Sequence, residues 1–424
     1  MRLLLNQITS LSPNQLWALI KEPARLFTLS AVLVNAGNYA YNVWLGRALS
    51  PELFAEAVLL VTLLLALSFL ATGIQLTVAK FCAELDGLSQ EEGLAFLSKL
   101  ALILGVGIGG LIIAFASPLA GLFAMSDASV FYPLGAAIPF YLWLSVSRGK
   151  AQGSRDYLGL ALTYQLEMLA RFALTIMAIQ WLNWTPSWSV AAAIAGSIVL
   201  SAIARPTKLR LSSGFGISKA LQKRIVIFFL YLCLYECLQI ICSNADMLMV
   251  KHYFKSETAG QYGAMALIGR IVFFLTWMIV MLLLPEVVAL RKAGGNHRAL
   301  FFKFLTAITA MVIVLVSGCF VFPTQIISLM FGPDYLEIAP VLGPYALATG
   351  FFALANVFVY YAISIDRYRA VWVALAIAGL QLLSFTIFHE SIAQIVNVQI
   401  VFMSLLLVLQ VIMLFGRKPK NAAV

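Results

Sequence analysis

The sequence predicts an all-α integral membrane protein of about twelve transmembrane helices in two sets of six. Three observations carry that prediction. Hydrophobic residues fill 62% of the 424 positions and charged residues 11%, with a mean hydropathy of +0.95, a composition unlike that of chains that fold in water. Apolar runs of membrane-crossing length recur along the chain between short connections. Lys and Arg fall in alternate connections, as orientation in a membrane demands. Twelve crossings of about 20 residues would use roughly 240 positions and leave only compact loops, so no sizeable soluble domain fits.

Bounding the apolar runs by charge, Gly and Pro places spans near 26–45, 54–79, 97–119, 131–147, 157–182 and 187–204. The stretch Arg205 to Arg224 then interrupts the pattern with six basic residues and no acidic one. Six further spans follow near 225–250, 260–284, 304–322, 341–363, 371–388 and 395–415. Two lobes are expected, 1–210 and 211–424. They resemble each other weakly at an offset of 204 to 205 residues, where Asn35 falls on Gln239 and Asn42 on Asp246, as parallel repeats would.

With both termini cytoplasmic, 23 of the 28 Lys and Arg residues lie on the inner side. Only Arg47, Lys251 and Lys255 lie outside, and Arg171 and Arg270 lie within spans. Topology therefore explains the net charge of +10 better than nucleic-acid binding does. The basic connections, above all Arg205 to Arg224, suit contact with anionic membrane lipids. Cys82, Cys233, Cys237, Cys242 and Cys319 sit mostly within apolar runs and read as small buried hydrophobes, not as disulfides or metal ligands. No removable signal peptide is expected.

Polar residues inside the spans are the candidates for function, because each ionised group there costs about 2.5–3.5 kcal/mol to insert. In span 1, Asn35, Asn38 and Asn42 share one helical face. In span 7, Glu236, Gln239, Ser243 and Asp246 form a continuous polar stripe. Both stripes should face a cavity or each other, although interhelical hydrogen bonding is the plainer explanation for the amides. Glu167 and Arg171 stand at i and i+4 in span 5, an order that favours a mutual ion pair. Arg171 and Arg270 lie at matching depths in opposite halves, and guanidinium suits bidentate contact with phosphate. Glu236 lies close enough in depth to neutralise Arg270 instead.

Enzymatic chemistry has few candidates here. His252, His297 and His389 fall in or beside connections without a second ligand at metal spacing. Gly-rich phosphate loops, nucleophile elbows and zinc-protease motifs are lacking, and no cofactor is expected. Gly105, Gly107, Gly109 and Gly110 in span 3 read as helix-packing positions, and Pro139 and Pro285 as helix kinks. Gln325 to Glu337 reads as a short amphipathic stretch at the outer surface.

Four stretches resemble the polysaccharide-flippase branch of the multidrug/oligosaccharidyl-lipid/polysaccharide exporter superfamily. They are Arg148-Gly149-Lys150-Ala151-Gln152-Gly153-Ser154-Arg155; Asn244 to Val250 followed by Ala259-Gly260-Gln261-Tyr262; Leu284-Pro285-Glu286; and Phe331-Gly332-Pro333-Asp334-Tyr335. The resemblance implies the fold of the multidrug and toxic-compound exporters, two six-helix lobes around a central cavity, working by alternating access. It further implies export of a polyprenyl-pyrophosphate-linked oligosaccharide from the cytoplasmic to the outer leaflet of a bacterial inner membrane.

On that reading Arg171 and Arg270 would bind pyrophosphate, and Asn35, Asn38, Asn42 and Gln239 sugar hydroxyls. Asp246, Glu236 or Glu167 would couple to H⁺ or Na⁺, and polysaccharide assembly proteins would be the partners. A drug or cation antiporter of the same superfamily is the first rival. A membrane glycan polymerase or ligase is the second, disfavoured because the external segment Phe322 to Pro340 holds no Lys, Arg or His.

Overall fold

A computed structural model of the chain describes residues 23–49, 51–123, 125–204, 217–254 and 256–415. All regular structure among them is helical. The long helices are α1 (Pro23–Ala48), α2 (Pro51–Glu84), α3 (Gly87–Ala114), α4 (Phe131–Gly153), α5 (Tyr157–Gln180), α6 (Pro186–Ile203), α7 (Lys219–Tyr253), α8 (Ser256–Lys292), α9 (His297–Val321), α10 (Ala339–Ser364), α11 (Arg369–Phe385) and α12 (Ile392–Phe415). Each coincides with one expected span. Nine regions among the described residues are long and apolar enough to cross a membrane, and α11 is a shorter apolar helix of 17 residues. The chain is a multi-pass membrane protein.

Local chemistry sets the helix ends. The side chain of Asp156 accepts from the Gly159 amide at 2.9 Å to start α5, and Asn296 accepts from the Ala299 amide at 3.1 Å to start α9, each satisfying a backbone donor that the first turn leaves over. Pro opens α6, where its fixed φ suits the first turn. Three connections turn on a non-glycine residue with positive φ, and besides Asn183 at 51° two of them are built alike, Arg155 at 61° and Asp366 at 62°. In both, the next residue's amide reaches back five positions, Asp156 to Ala151 at 2.8 Å and Arg367 to Ala362 at 2.8 Å.

The chain folds into two compact units, Met1–Ile225 and Val226–Val424. The second begins later than the expected residue 211. Lys219 to Arg224, read as connection, form the first turns of α7 and still belong to the first unit, within which Arg224 pairs with Glu84 at 2.6 Å. In the first unit α4 is central, packing on α2, α3 and α6, while α5 joins α6 to α1. In the second, α10 packs on α8, α9 and α12, and α11 packs on α12. The stacked pair Tyr231–Tyr368, at 4.5 Å, and the edge contact Tyr231–Trp372 link α7 to the start of α11. The basic residues at the chain ends, Arg2, Lys21, Arg417, Lys418 and Lys420, and residues 205–216 lie outside the described residues.

Glycine permits the close approaches of α4. A Cβ on Gly109 would lie 2.3 Å from the Gly135 carbonyl oxygen, and one on Gly105 2.6 Å from the Pro139 Cα. A Cβ on Gly149 or Gly153 would lie 2.3 or 2.5 Å from the carbonyl oxygens of Gln75 and Ala79 on α2. These are small-residue pairs at i and i+4, the spacing that lets membrane helices pack backbone to backbone. Gly107 and Gly110 face open space, so the expectation that all four glycines of span 3 pack is corrected: only one face of the helix does.

Near the start of α2, Glu56 accepts from the Ser126 amide and hydroxyl at 2.8 and 3.1 Å and from the Ser187 hydroxyl. It ties α2 to the connection before α4 and to the start of α6. The stretch Gln325 to Glu337 resolves into a helix, Pro323–Phe331, and a 3-10 segment, Pro333–Ile338, split by Gly332 at φ 98°, a conformation open to glycine.

Gly149→Ala should reduce the fraction of monodisperse protein recovered from membranes, because backbone overpacking costs about 1–3 kcal/mol or more. Gly107→Ala and Gly110→Ala should leave it unchanged. Size-exclusion profiles of the three variants check the pair of expectations.

Candidate functional site

Each unit carries its own polar network, built from charged residues that the surrounding apolar helix faces cannot solvate. In the first unit Arg148, near the end of α4, is buried and pairs with Glu167 of α5 at 2.8 Å. Its Nε also donates to the Thr163 hydroxyl at 3.1 Å, its Nη2 to the Thr163 carbonyl at 3.0 Å, and the guanidinium lies 3.9 Å from the Tyr164 ring centroid. The network runs on, because Tyr164 donates to Gln75 Oε1 at 2.9 Å and Gln75 Nε2 donates to Gln152 Oε1 at 2.8 Å. The residues Arg148, Gly149, Gln152 and Gly153 thus split their work: polar positions build the network and glycines admit α2.

Glu167 therefore pairs across helices, and the expected intrahelical pair with Arg171 does not form. Arg171, also buried, donates from Nη2 to Asn38 Oδ1 on α1 at 2.6 Å. Its guanidinium lies 5.7 Å from the Tyr41 ring centroid, and Tyr41 shares a 3.0 Å hydrogen bond with Thr175. Of the three asparagines in α1, only Asn38 meets Arg171. Asn35 and Asn42 each donate to a carbonyl one turn back on their own helix, Ala31 at 2.9 Å and Asn38 at 3.1 Å.

In the second unit, the α7 stripe splits into two sites about three turns apart. At one, Asp246 is fully buried, and its Oδ2 accepts from the hydroxyls of Tyr262 at 2.7 Å and Tyr345 at 3.0 Å. Arg270 of α8 donates to Asn244 Oδ1 at 3.0 Å and sits 3.6 Å from Asp246 Oδ1. At the other, Tyr360 of α10 donates to Glu236 Oε1 while accepting from Gln239 Nε2 at 3.0 Å. Tyr235 donates to Asn356 Oδ1 alongside. The expectation that Glu236 neutralises Arg270 is thus corrected: the neutralising carboxylate is Asp246, and Glu236 meets a neutral hydroxyl.

Sequence reasoning missed the tyrosines. Tyr262, Tyr345 and Tyr360 each complete a carboxylate's coordination, yet sit in apolar runs where an aromatic reads as packing. Asn356 and Tyr360, at i and i+4 in span 10, were the available signal. Among the described residues no group of three or more His, Cys, Asp and Glu could hold a metal ion.

The family described as polysaccharide biosynthesis protein matches residues 25–291, more than half of the chain. The chain belongs to the polysaccharide biosynthesis protein family. Among curated proteins none matches the sequence. Among solved structures, the chain is similar to an outward-facing multidrug-resistance MATE family transporter of the MOP superfamily, at 15% identity over 92% of this chain and 94% of that one, TM-score 0.77. It is also similar to a MATE protein in complex with MaD5, at 15% identity over 92% and 95%, TM-score 0.78. A third is a MOP superfamily transporter from Pyrococcus furiosus, described as having a binding pocket of reversed polarity, at 16% identity over 92% and 96%, TM-score 0.73. This member of the polysaccharide biosynthesis protein family has the fold of the MATE and MOP superfamily transporters.

Breaking the Arg148–Glu167 pair from one side should cost about 3 kcal/mol, since it strands a charge in a mostly buried site. Arg148→Met should thus unfold well below the unaltered protein, and Arg148→Met with Glu167→Leu should recover part of the loss. A thermal-unfolding cycle in nanodiscs measures this coupling directly, and a double variant no better than the single one would deny it.

Proposed function

We propose that the protein is a flippase that moves a polyprenyl-pyrophosphate-linked oligosaccharide from the cytoplasmic to the outer leaflet of a bacterial inner membrane by alternating access, with both termini cytoplasmic. The observation that carries this reading is Arg171. Its charge is buried in an apolar helix and meets a neutral amide and an aromatic ring instead of a carboxylate. Among the described residues Arg148 and Arg270, by contrast, each pair with an acid. Such an uncompensated guanidinium is costly to insert and is suited to an anionic ligand such as pyrophosphate.

The family match to polysaccharide biosynthesis gives the anionic ligand its chemical context. Asn38, already on Arg171, and Asn35 and Asn42 on the same helix supply amides for sugar hydroxyls. Gln239 lies in the second unit beside Glu236, and we assign ion coupling with H⁺ or Na⁺ to Glu236, whose partner is a neutral hydroxyl. Asp246 and Glu167 are committed to arginines and serve as positioning groups. Polysaccharide assembly proteins would be the partners in the cell.

The rival reading, a drug or cation antiporter, draws on the multidrug transporters among the similar structures, whose likeness at such identity is one of fold.

In a deletion strain, leaflet-specific labelling should find full-length polyprenyl-linked glycan accumulating on the cytoplasmic face, restored by complementation. An unchanged glycan pool with raised sensitivity to cationic drugs would favour the antiporter. Arg171→Gln should lower flipping at least about tenfold, the loss expected of one charge-assisted contact, with normal amounts of folded protein in the membrane. Flipping at the unaltered rate would remove Arg171 from the site. Glu236→Gln should abolish the response of flipping to an imposed ion gradient while binding of the carrier persists.

A further inference from the structure

The second unit contains a narrow pocket among α7, α8, α10 and α12, with Arg270, Gln399, Thr349, Tyr345, Phe273 and Phe352 in its wall. The hydrogen bonds around it are incomplete in a particular way. The Arg270 guanidinium is anchored through Nη1 on Asn244, while Nε and Nη2, the two that form its bidentate edge, have no hydrogen-bond partner in the protein. Nη2 lies 3.6 Å from Asp246 Oδ1, beyond hydrogen-bond length, with the Tyr345 hydroxyl beside both groups. Asp246 Oδ1 is itself without a hydrogen bond, because both tyrosine hydroxyls go to Oδ2. The Oε1 of Gln399, a buried residue, is likewise without one.

Donors and acceptors are therefore left over together, beside a charge pair that cancels. That combination discriminates among ligands. A phosphate brings acceptors only; it would use Nε and Nη2 but leave Gln399 Oε1 and Asp246 Oδ1 unmet, and set one anion against another. A cation would meet the acceptors and be repelled by Arg270. A hydroxyl both accepts and donates, so one hydroxyl could take a hydrogen bond from the guanidinium edge and return one to Gln399 Oε1, the leftover acceptor that shares the pocket wall with Arg270. The stacked pair Phe273–Phe352, with centroids 5.2 Å apart and planes 20° from parallel, offers a flat apolar surface of the kind that completes a small-molecule site.

The geometry points to a neutral sugar: the Arg270 pocket holds the hydroxyl edge of one residue of the carried glycan, and the pyrophosphate is held elsewhere, at Arg171. This inference rests on the lipid-linked-glycan reading above, and the pocket it concerns lies wholly within the second unit.

The test uses the full-length protein in lipid nanodiscs free of glycoside detergent, with a panel of neutral methyl glycosides (gluco, galacto and manno) and inorganic pyrophosphate as probes. At least one glycoside should raise the melting temperature of the unaltered protein. Its apparent Kd should weaken about tenfold in Gln399→Leu, the effect of one lost buried hydrogen bond, and its effect should vanish in Arg270→Met. The pyrophosphate response should survive both changes and disappear in Arg171→Gln.

The proposal is overturned if no glycoside acts on the unaltered protein, which would leave the pocket to water, or if Arg270→Met abolishes the pyrophosphate response. Gln399→Leu keeps the charge pair intact and decides the matter should Arg270→Met fail to fold. The flippase reading fails separately, through an unchanged glycan pool in the deletion strain.

Discussion

A charge inside an apolar helix bundle has to be answered by the protein itself, because no water is at hand to do it. That constraint organises both units. Arg148 is answered by Glu167, Thr163 and the Tyr164 ring, and those partners fix α4 against α5. Asp246 is answered by two tyrosine hydroxyls and a nearby guanidinium, which fix α7 against α8 and α10. Apolar packing among membrane helices specifies relative position weakly, since lipid tails offer the same contacts. Buried polar pairs supply the direction that packing lacks, and each pair here joins different helices.

The glycine contacts of α4 are the steric counterpart of those pairs. Where Gly149 and Gly153 bring α4 onto the backbone of α2, Gln75 and Gln152 come within hydrogen-bond reach of each other. Close approach and polar contact therefore depend on one another at this crossing. A bulkier residue at either glycine would push the helices apart and strand the amides with them.

Most of the fold was legible in the sequence because one strong signal, hydropathy with basic residues in alternate connections, fixes where a chain crosses a membrane. The candidate residues were legible too: a carboxylate or guanidinium in an apolar run stands out. Their partners were not. Glu167 has Arg171 one turn away and yet pairs with Arg148, 19 positions back. Glu236 finds Tyr360 at a separation of 124. Helical spacing describes a face of one helix and is silent on which neighbour covers it. The same limit separates Gly105 and Gly109, which touch α4, from Gly107 and Gly110, which do not.

Along α10 lie Tyr345, Asn356, Tyr360 and Tyr361, which reach respectively Asp246, Tyr235, Glu236 and the ring nitrogen of His297. Those partners stand on two other helices, α7 and α9, and are spread over almost five turns of α10. A shaft keyed at four points cannot spin in its housing. Turning α10 by a single residue step, about 100°, would pull every key from its slot at once, so no partial rotation has a lower-cost intermediate. Motion that passes through the second unit must carry α7, α9 and α10 along as one body, with any bending left to segments beyond the keyed length.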